Sequence, residues 1–283
     1  MIDNVEIIDP RSKKERARIR AFASILVDKR SRKGMTFDKA MDLMVHKHYF
    51  GPMLVETGAA DAVLNGYAFS YPDMIRPALQ IIGRSPSTKV VSGMYIVNTK
   101  DGPLFLSDCT VNLKPDTNAL KEIVLQTAEA VQRFNIEPVI ALLSYSNFGS
   151  VRGDLSAKLH EVVDQLHQEY PELKVDGEVQ ANVAMDADLM KNTYPFAKLI
   201  GRNVNTLIFP DLTSANIAYQ LLNKAAGFDI VGPILNGLKK PAHILQMGSS
   251  VNEIVNMIMI AVMDAQQKER KARDFDSQKP VMV

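Results

Sequence analysis

The sequence predicts an α/β protein with a largely parallel, doubly covered sheet, and three observations carry that prediction. Short apolar runs bounded by Gly, Pro, Asn or Asp recur at residues 61–65, 89–97, 103–106, 139–143, 206–209 and 229–235, and read as strands. Apolar residues at helical spacing fill many of the gaps, at 73–82, 117–134, 155–169 and 212–226. Strand and helix patterns that alternate in this way suit a sheet with helices on both faces. Ligands in that class sit beyond the carboxyl ends of strands, where loops enter helices.

The flanking elements are helical. Residues 11–33 place Ala17, Phe22, Ile25 and Leu26 on an apolar stripe, and Gly34 stops the helix. This helix is rich in Lys and Arg and holds only Glu15 and Asp28 as acids, so its polar face is either solvated or meets an anionic ligand. A second helix over 36–48 groups Ala40, Leu43 and Met44. The last long helix runs from 251 to about 268, and the tail 268–283 is expected to fray.

The chain has 283 residues, 46% hydrophobic and 23% charged, which suits one large or two smaller globular domains. A net charge of +1 supplies no global field for nucleic acid or membrane. The single cysteine, Cys109, excludes an internal disulfide and fits a reducing cytoplasm. No signal-peptide pattern opens the chain, and no apolar run reaches about 18 residues. The expectation is a cytoplasmic protein with neither nucleic acid nor membrane as partner. His46 and His48 fall two apart on a predicted helix and would point apart, while His160 and His167 read as solvated; none has metal-ligand spacing.

Four strand-to-helix junctions can hold chemistry. In the first, residues 66–77, Asp73 reads as a helix N-cap and Arg76 offers its fork of donors near a helix N-terminus. The second, residues 143–152, has the Ser/Gly composition of a backbone nest for an anion, or of an ordinary turn; it lacks the lysine of a P-loop. In the third, residues 209–219, Asp211 reads as a cap and Asn216 as a donor to a ligand amide. In the fourth, Ser250-Val-Asn-Glu253 fits a capping box, which would occupy Glu253; the functional alternative makes Glu253 a base.

Taken together, the blocks VEIIDP (5–10), IRPALQII (75–82), DGEVQ (176–180), LIFPDL (207–212), GPILNGLKKP (232–241) and HILQMGSSVNEIV (243–255) resemble the phosphotransacetylase family over about residues 5–266. YFGPML (49–54), YPDMIRPALQ (71–80), SNFGSVR (146–152), YPF (194–196) and HILQMG (243–248) resemble more closely the phosphotransacetylase-like C-terminal domain of large NADP-dependent malic enzymes. The resemblance implies a two-domain phosphotransacetylase-like (isocitrate/isopropylmalate dehydrogenase-like) fold with mostly parallel sheets and an inter-domain cleft that holds the active site. Domain I would comprise 1–88 plus 232–283, and domain II, inserted in it, 89–231. Family members begin with further residues, so domain I is expected to be incomplete at its N-terminus.

In the family reaction the CoA thiolate attacks acetyl phosphate. A thiol with a pKa of about 8.5 needs a base, the phosphate needs guanidiniums, and the oxyanion needs donors. The resemblance carries the catalytic roles to Arg30, Arg76 and Glu253. Ligand binding falls to Arg30, Ser70, Asp73, Arg76, Ser144, Ser146, Gly149, Ser150, Asn216, Gly248 and Ser249, and no metal is implied in this chain. Departures from the pattern matter: Gln246 and Met247 replace a Ser-Arg pair, Phe148 replaces a Lys, Glu253 replaces an Asp, and Phe69 and Tyr71 fall in a turn rich in His and hydroxyls. Loss of one charge-assisted partner costs about 10²–10³ in rate. The expectation is therefore a regulatory domain that senses acetyl-CoA (or CoA) and forms a homo-oligomer, dimer or higher. It would be joined to an N-terminal malic-enzyme domain holding the NADP and the divalent metal, and would lack transferase activity itself. The alternatives are an active phosphate acetyltransferase and a purely structural assembly domain.

Overall fold

The computed structural model describes residues 5–277. The chain divides into two compact units, residues 1–83 with 238–283, and residues 84–237.

The first unit opens with helices α1 (Arg16–Arg30), α2 (Phe37–Met44) and α3 (Lys47–Thr57), followed by strand β1 (Val63–Gly66) and helix α4 (Tyr71–Ile81). It closes with strand β8 (Ala242–Leu245) and helix α10 (Val251–Ser277). Strands β1 and β8 pair in parallel, with Val63 opposite Ala242 and Gly66 opposite Leu245. Phe22, Leu26, Met44, Phe50, Met53, Met74 and Ile81 are buried in this unit. Helix α10 continues past the expected end near 268, while the remainder of the predicted frayed tail, 278–283, lies outside the described residues.

The expected helix over 36–48 is two helices. It breaks at His46, whose extended backbone (φ −90°, ψ 130°) makes it the N-cap of α3. His46 and His48 therefore do not point apart. Their rings stack with centroids 5.5 Å apart and planes 23° apart.

The second unit holds strands β2 (Ser92–Thr99), β3 (Gly102–Ser107), β4 (Val139–Leu143), β5 (Lys174–Val179), β6 (Thr206–Ile208) and β7 (Asp229–Asn236). Its helices are α5 (Thr117–Gln132), α6 (Asp154–Glu169), α7 (Ala181–Ala184), α8 (Ala187–Thr193) and α9 (Leu212–Lys224). The six strands form one sheet in the order β5-β4-β6-β3-β2-β7. The pairs β5–β4, β4–β6 and β6–β3 are parallel. Antiparallel pairing begins at β3–β2 and continues to β7. The reason is local: Lys100-Asp101 followed by Gly102 (φ 117°) closes a tight hairpin, which only antiparallel strands permit.

Alternate residues of β4 feed opposite faces of this sheet. Ile140 and Leu142 pack with Leu120 and Ile123 of α5 and Leu159 and Val162 of α6. Val139, Ala141 and Leu143 pack with Val183 of α7, Met190 of α8 and Ala215 of α9. Both faces are covered, which is why β4 reads as an unbroken apolar run. Cys109 is fully buried, and burial, with Asp108 beside it, pushes its thiol well up, so it is no nucleophile at neutral pH.

Asp211 caps α9, its carboxylate accepting from the Ser214 N–H at 2.8 Å. Asp211→Ala is expected to cost about 1 kcal/mol of stability, read as a lower urea midpoint at unchanged slope. Among the described residues no helix is long and apolar enough to cross a membrane.

Candidate active site

In the first unit the parallel pair β1–β8 brings two of the four junctions side by side. Gly66 ends β1 opposite Leu245, which ends β8. The loop into α4 and the loop into α10 therefore leave the same end of the sheet, which is where such folds bind ligands. Gly66 has φ +116°, and a Cβ there would lie 2.3 Å from the Leu245 carbonyl oxygen, so this approach requires glycine.

The α4 junction begins one turn earlier than the sequence suggested. Ser70, not Asp73, is the N-cap, with extended backbone (φ −66°, ψ 148°). The reason is Pro72, which suits the first turn of a helix, where its missing N–H costs nothing. Asp73 instead accepts a 2.5 Å hydrogen bond from the Ser70 hydroxyl. Arg76 is exposed one turn further on, and Arg30 is the half-buried last residue of α1.

Both guanidiniums act electrostatically on Tyr49 of α3. Burial raises the pKa of the Tyr49 phenol, while Arg76 and then Arg30 pull against that shift. The phenol donates to Gln80 Oε1 at 3.1 Å. Beside it, His48 contacts Phe69 with centroids 5.5 Å apart. Burial and then the neighbouring His46 lower the His48 pKa, with Asp73 opposing.

In the α10 junction the capping box forms. The Ser250 N–H donates to Glu253 Oε2 at 2.6 Å, and the Glu253 N–H to Ser250 Oγ at 3.2 Å. The other carboxylate oxygen of Glu253 has no hydrogen-bond partner among the described residues. Residues 246–249 make a turn, closed by the Ser249 N–H and hydroxyl on the Gln246 carbonyl and by Gly248 at φ +80°. Met247 projects from it, 68% exposed.

In the second unit, Ser144, Ser146, Gly149 and Ser150 share one loop between β4 and α6, but it is not a nest of free amides. The N–H groups of Asn147 and Val151 donate to Ser150 Oγ and Ser146 Oγ, both at 3.0 Å. Those of Phe148 and Gly149 donate to the carbonyl and the carboxylate of Glu178, at 2.7 and 2.9 Å. Ser146 is fully buried, so the hydroxyls this loop leaves accessible are those of Ser144 and Ser150. Phe148 packs on Tyr194 and Phe196, with centroids 5.1 and 5.3 Å away, so an aromatic cluster stands where the family pattern has a lysine. Asn216 is apart from this loop on α9, and its side-chain oxygen accepts from Gln220 at 2.6 Å.

Sequence reasoning missed the residues behind the loop. Glu178 is fully buried in β5 and accepts from Ser156 Oγ at 2.6 Å, and its Oε2 is 3.0 Å from His160 Nδ1. His160 and His167 are both engaged, the latter with the Val175 carbonyl at 2.8 Å, because α6 packs against β5. Neither is simply solvated. The DGEVQ block was visible in the sequence; its buried carboxylate was the available signal. Among the described residues no group of three or more His, Cys, Asp or Glu side chains is placed to hold a metal.

A parallel strand pair whose ends lead to Arg76 and to Glu253 places a guanidinium and a carboxylate at the ligand-binding end of an α/β fold. The chain belongs to the phosphate acetyl/butaryl transferase family, whose model matches residues 1–262. It is 34% identical over 273 residues to a phosphate acetyltransferase of Clostridium acetobutylicum, covering 94% of this chain and 81% of that protein. It is 35% identical over 265 residues to a phosphate acetyltransferase of Helicobacter pylori, covering 94% of this chain and 50% of that protein. Among solved structures, it matches the EutD phosphotransacetylase of Staphylococcus aureus with TM-score 0.79 at 34% identity, covering 94% of this chain and 80% of the other. A phosphotransacetylase of Streptococcus pyogenes matches with TM-score 0.81 at 33% identity, covering 92% of this chain and 78% of the other.

These relatives correct the finer expectation. A regulatory, acetyl-CoA-sensing domain of an oxidoreductase, joined to an N-terminal malic-enzyme domain that holds NADP and a divalent metal, is overturned. The proteins matched over nearly the whole chain are named phosphate acetyltransferase. The departures at Phe69, Tyr71, Phe148, Gln246, Met247 and Glu253 suggest lost function in the sequence, yet the chain that carries them is 34% identical to a phosphate acetyltransferase over 94% of its length.

Proposed function

We propose that the chain is a phosphate acetyltransferase, moving an acetyl group between acetyl phosphate and CoA. The observation that carries this reading is its 34% identity, over 94% of its length, to a protein of that name. Arg30 and Arg76 support it, since both act on the Tyr49 phenol and two guanidiniums suit the oxygens of a phosphate. On the resemblance alone, we also assign the two units to the isocitrate/isopropylmalate dehydrogenase-like plan.

In this mechanism Glu253 Oε1 takes the proton of the CoA thiol. The thiolate sulfur attacks the acetyl carbonyl, the C–S bond forms, and the C–O bond to phosphate breaks. Inorganic phosphate leaves with the electron pair, its charge met by Arg76 and Arg30. The cap from Ser250 fixes Glu253 Oε2 and so aims the free oxygen. Hydroxyls of Ser70, Ser144, Ser150 and Ser249, the Gly149 and Gly248 turns, Asp73 and Asn216 are proposed to bind the two substrates, while Ser146, fully buried, holds the loop together.

The test is steady-state acetylation of CoA from acetyl phosphate. Turnover is expected in the native chain, with a loss of about 10²-fold in Glu253→Ala. Met247→Arg is expected to raise the rate about tenfold or more. Met247 is exposed on a turn, so an arginine fits without repacking and adds a cation beside the reaction. A native rate no higher than that of Glu253→Ala would refute the proposal.

A further inference from the structure

We infer that Glu178 is a positioning residue for the transfer reaction, holding the 144–151 loop in its working shape without touching substrate. This rests on the proposed acetyltransferase reading, because the reaction supplies its readout.

The backbone is built to deliver this carboxylate. In the β4–β5 ladder Leu142 faces Gly177 and Leu143 faces Val179, so Glu178 is the extra, bulged residue. A bulge re-aims a side chain out of the regular alternation. Gly177 makes it possible: at φ +145° its missing Cβ would sit 2.7 Å from the Leu142 carbonyl oxygen. The side chain thus released is fully buried, where an unpaired charge would be costly.

Its partners all come from the loop and from α6. Oε1 accepts from the Gly149 N–H and the Ser156 hydroxyl, and Oε2 meets His160 Nδ1. Burial works against its ionisation, but hydrogen bonds from Ser156, Gly149, Ser146 and His160 outweigh it and keep the carboxyl below its usual range. Two residues on, Gln180 closes the other end of the loop. Its N–H donates to Asn147 Oδ1 at 2.7 Å, its side-chain oxygen accepts from Asn147 Nδ2 at 3.0 Å, and its Nε2 donates to the Tyr145 carbonyl at 2.7 Å. The strand end Glu178-Val-Gln180 is therefore a template on which the loop is laid. The positive φ of Phe148 (47°) is held by that template, since few residues other than glycine adopt it unaided, while Gly149 (82°) continues the turn without strain.

A loop held this way contributes to ground-state and transition-state binding alike, so its loss appears mainly in KM. The experiment compares Glu178→Ala, Glu178→Gln and Ser156→Ala. Glu178→Ala is expected to raise KM for acetyl phosphate or CoA at least tenfold, with kcat changed less than threefold. Glu178→Gln keeps the acceptor oxygen for Gly149 and Ser156, so it is expected to restore KM to within about threefold. Ser156→Ala removes one of several donors and is expected to raise KM severalfold with a lowered thermal midpoint but a folded chain, since Gly149, Ser146 and His160 still serve the carboxylate; this keeps the test open if Glu178→Ala does not fold. Amide exchange at Phe148 and Gly149 is expected to accelerate in both alanine variants. Native KM in Ser156→Ala with unchanged exchange overturns the inference. So does a fall in kcat with glutamine no better than alanine. If the native chain proves inactive the acetyltransferase reading fails, and the exchange data still decide whether Glu178 holds the loop.

Discussion

Replacing Arg76 by alanine is expected to lower kcat/KM for CoA acetylation by about 10²- to 10³-fold, the usual cost of removing one preorganised charge from a reacting group. The fold should not suffer. Arg76 is exposed on α4, whose inward face is made by Met74, Ala78 and Ile81, and exposed substitutions usually stay within about 0.5 kcal/mol. Arg76→Lys is expected to recover little, because an ammonium is a point charge without the planar fork that binds two phosphate oxygens. A second measurement is independent of turnover. Arg76 is the foremost charge pulling the Tyr49 phenol downward, so its removal should move the tyrosine's ultraviolet titration to still higher pH. A kcat/KM within threefold of native, with the Tyr49 titration displaced, would place Arg76 beside Tyr49 but outside the phosphate site.

The fold was legible where local pattern and burial agree. Residues 139–143 were read as a strand and are β4; residues 117–134 were read as a helix and contain α5. Both are elements whose apolar residues alone state their environment. Two of the misses, β5 and β8, share one cause: burial of polar groups whose partners are far away in sequence. β5 reads Lys-Val-Asp-Gly-Glu-Val, which looks like a loop, yet Asp176 accepts from the Lys198 N–H and Glu178 from α6. β8 carries His243, buried 3.0 Å from Asp264 of α10. α3 contains Gly51 and Pro52, poor helix residues, but buries Tyr49, Phe50, Met53 and Val55, and packing overrides propensity. For the candidate site, motif resemblance pointed to Arg30, Arg76 and Glu253. It could not show that both arginines act on the Tyr49 phenol, or that the loop amides are already occupied, because both depend on tertiary structure.

Gly66→Ala is expected to be the most damaging single substitution in the first unit, destabilising the protein by about 3–4 kcal/mol. Two costs combine. An alanine at φ +116° is strained by about 1–3 kcal/mol wherever it sits. Here its Cβ also meets backbone, 2.3 Å from the Leu245 carbonyl oxygen and 2.8 Å from its nitrogen, and no rotamer change can relieve that. β1 and β8 must move apart. Gly248→Ala separates the two costs, because at φ +80° its Cβ meets nothing within 4 Å and only the strain remains. Urea unfolding should therefore rank Gly66→Ala well below Gly248→Ala. Equal losses would mean that the close approach of the two strands carries no stability. The kinetic consequence should exceed the unfolded fraction. The loops to Arg76 and to Glu253 leave from Gly66 and Leu245, and a displacement of about 1 Å between reacting groups can cost about 10²-fold. Folded Gly66→Ala is expected to turn over at least tenfold more slowly than native, a loss that stabilising co-solvents should not restore.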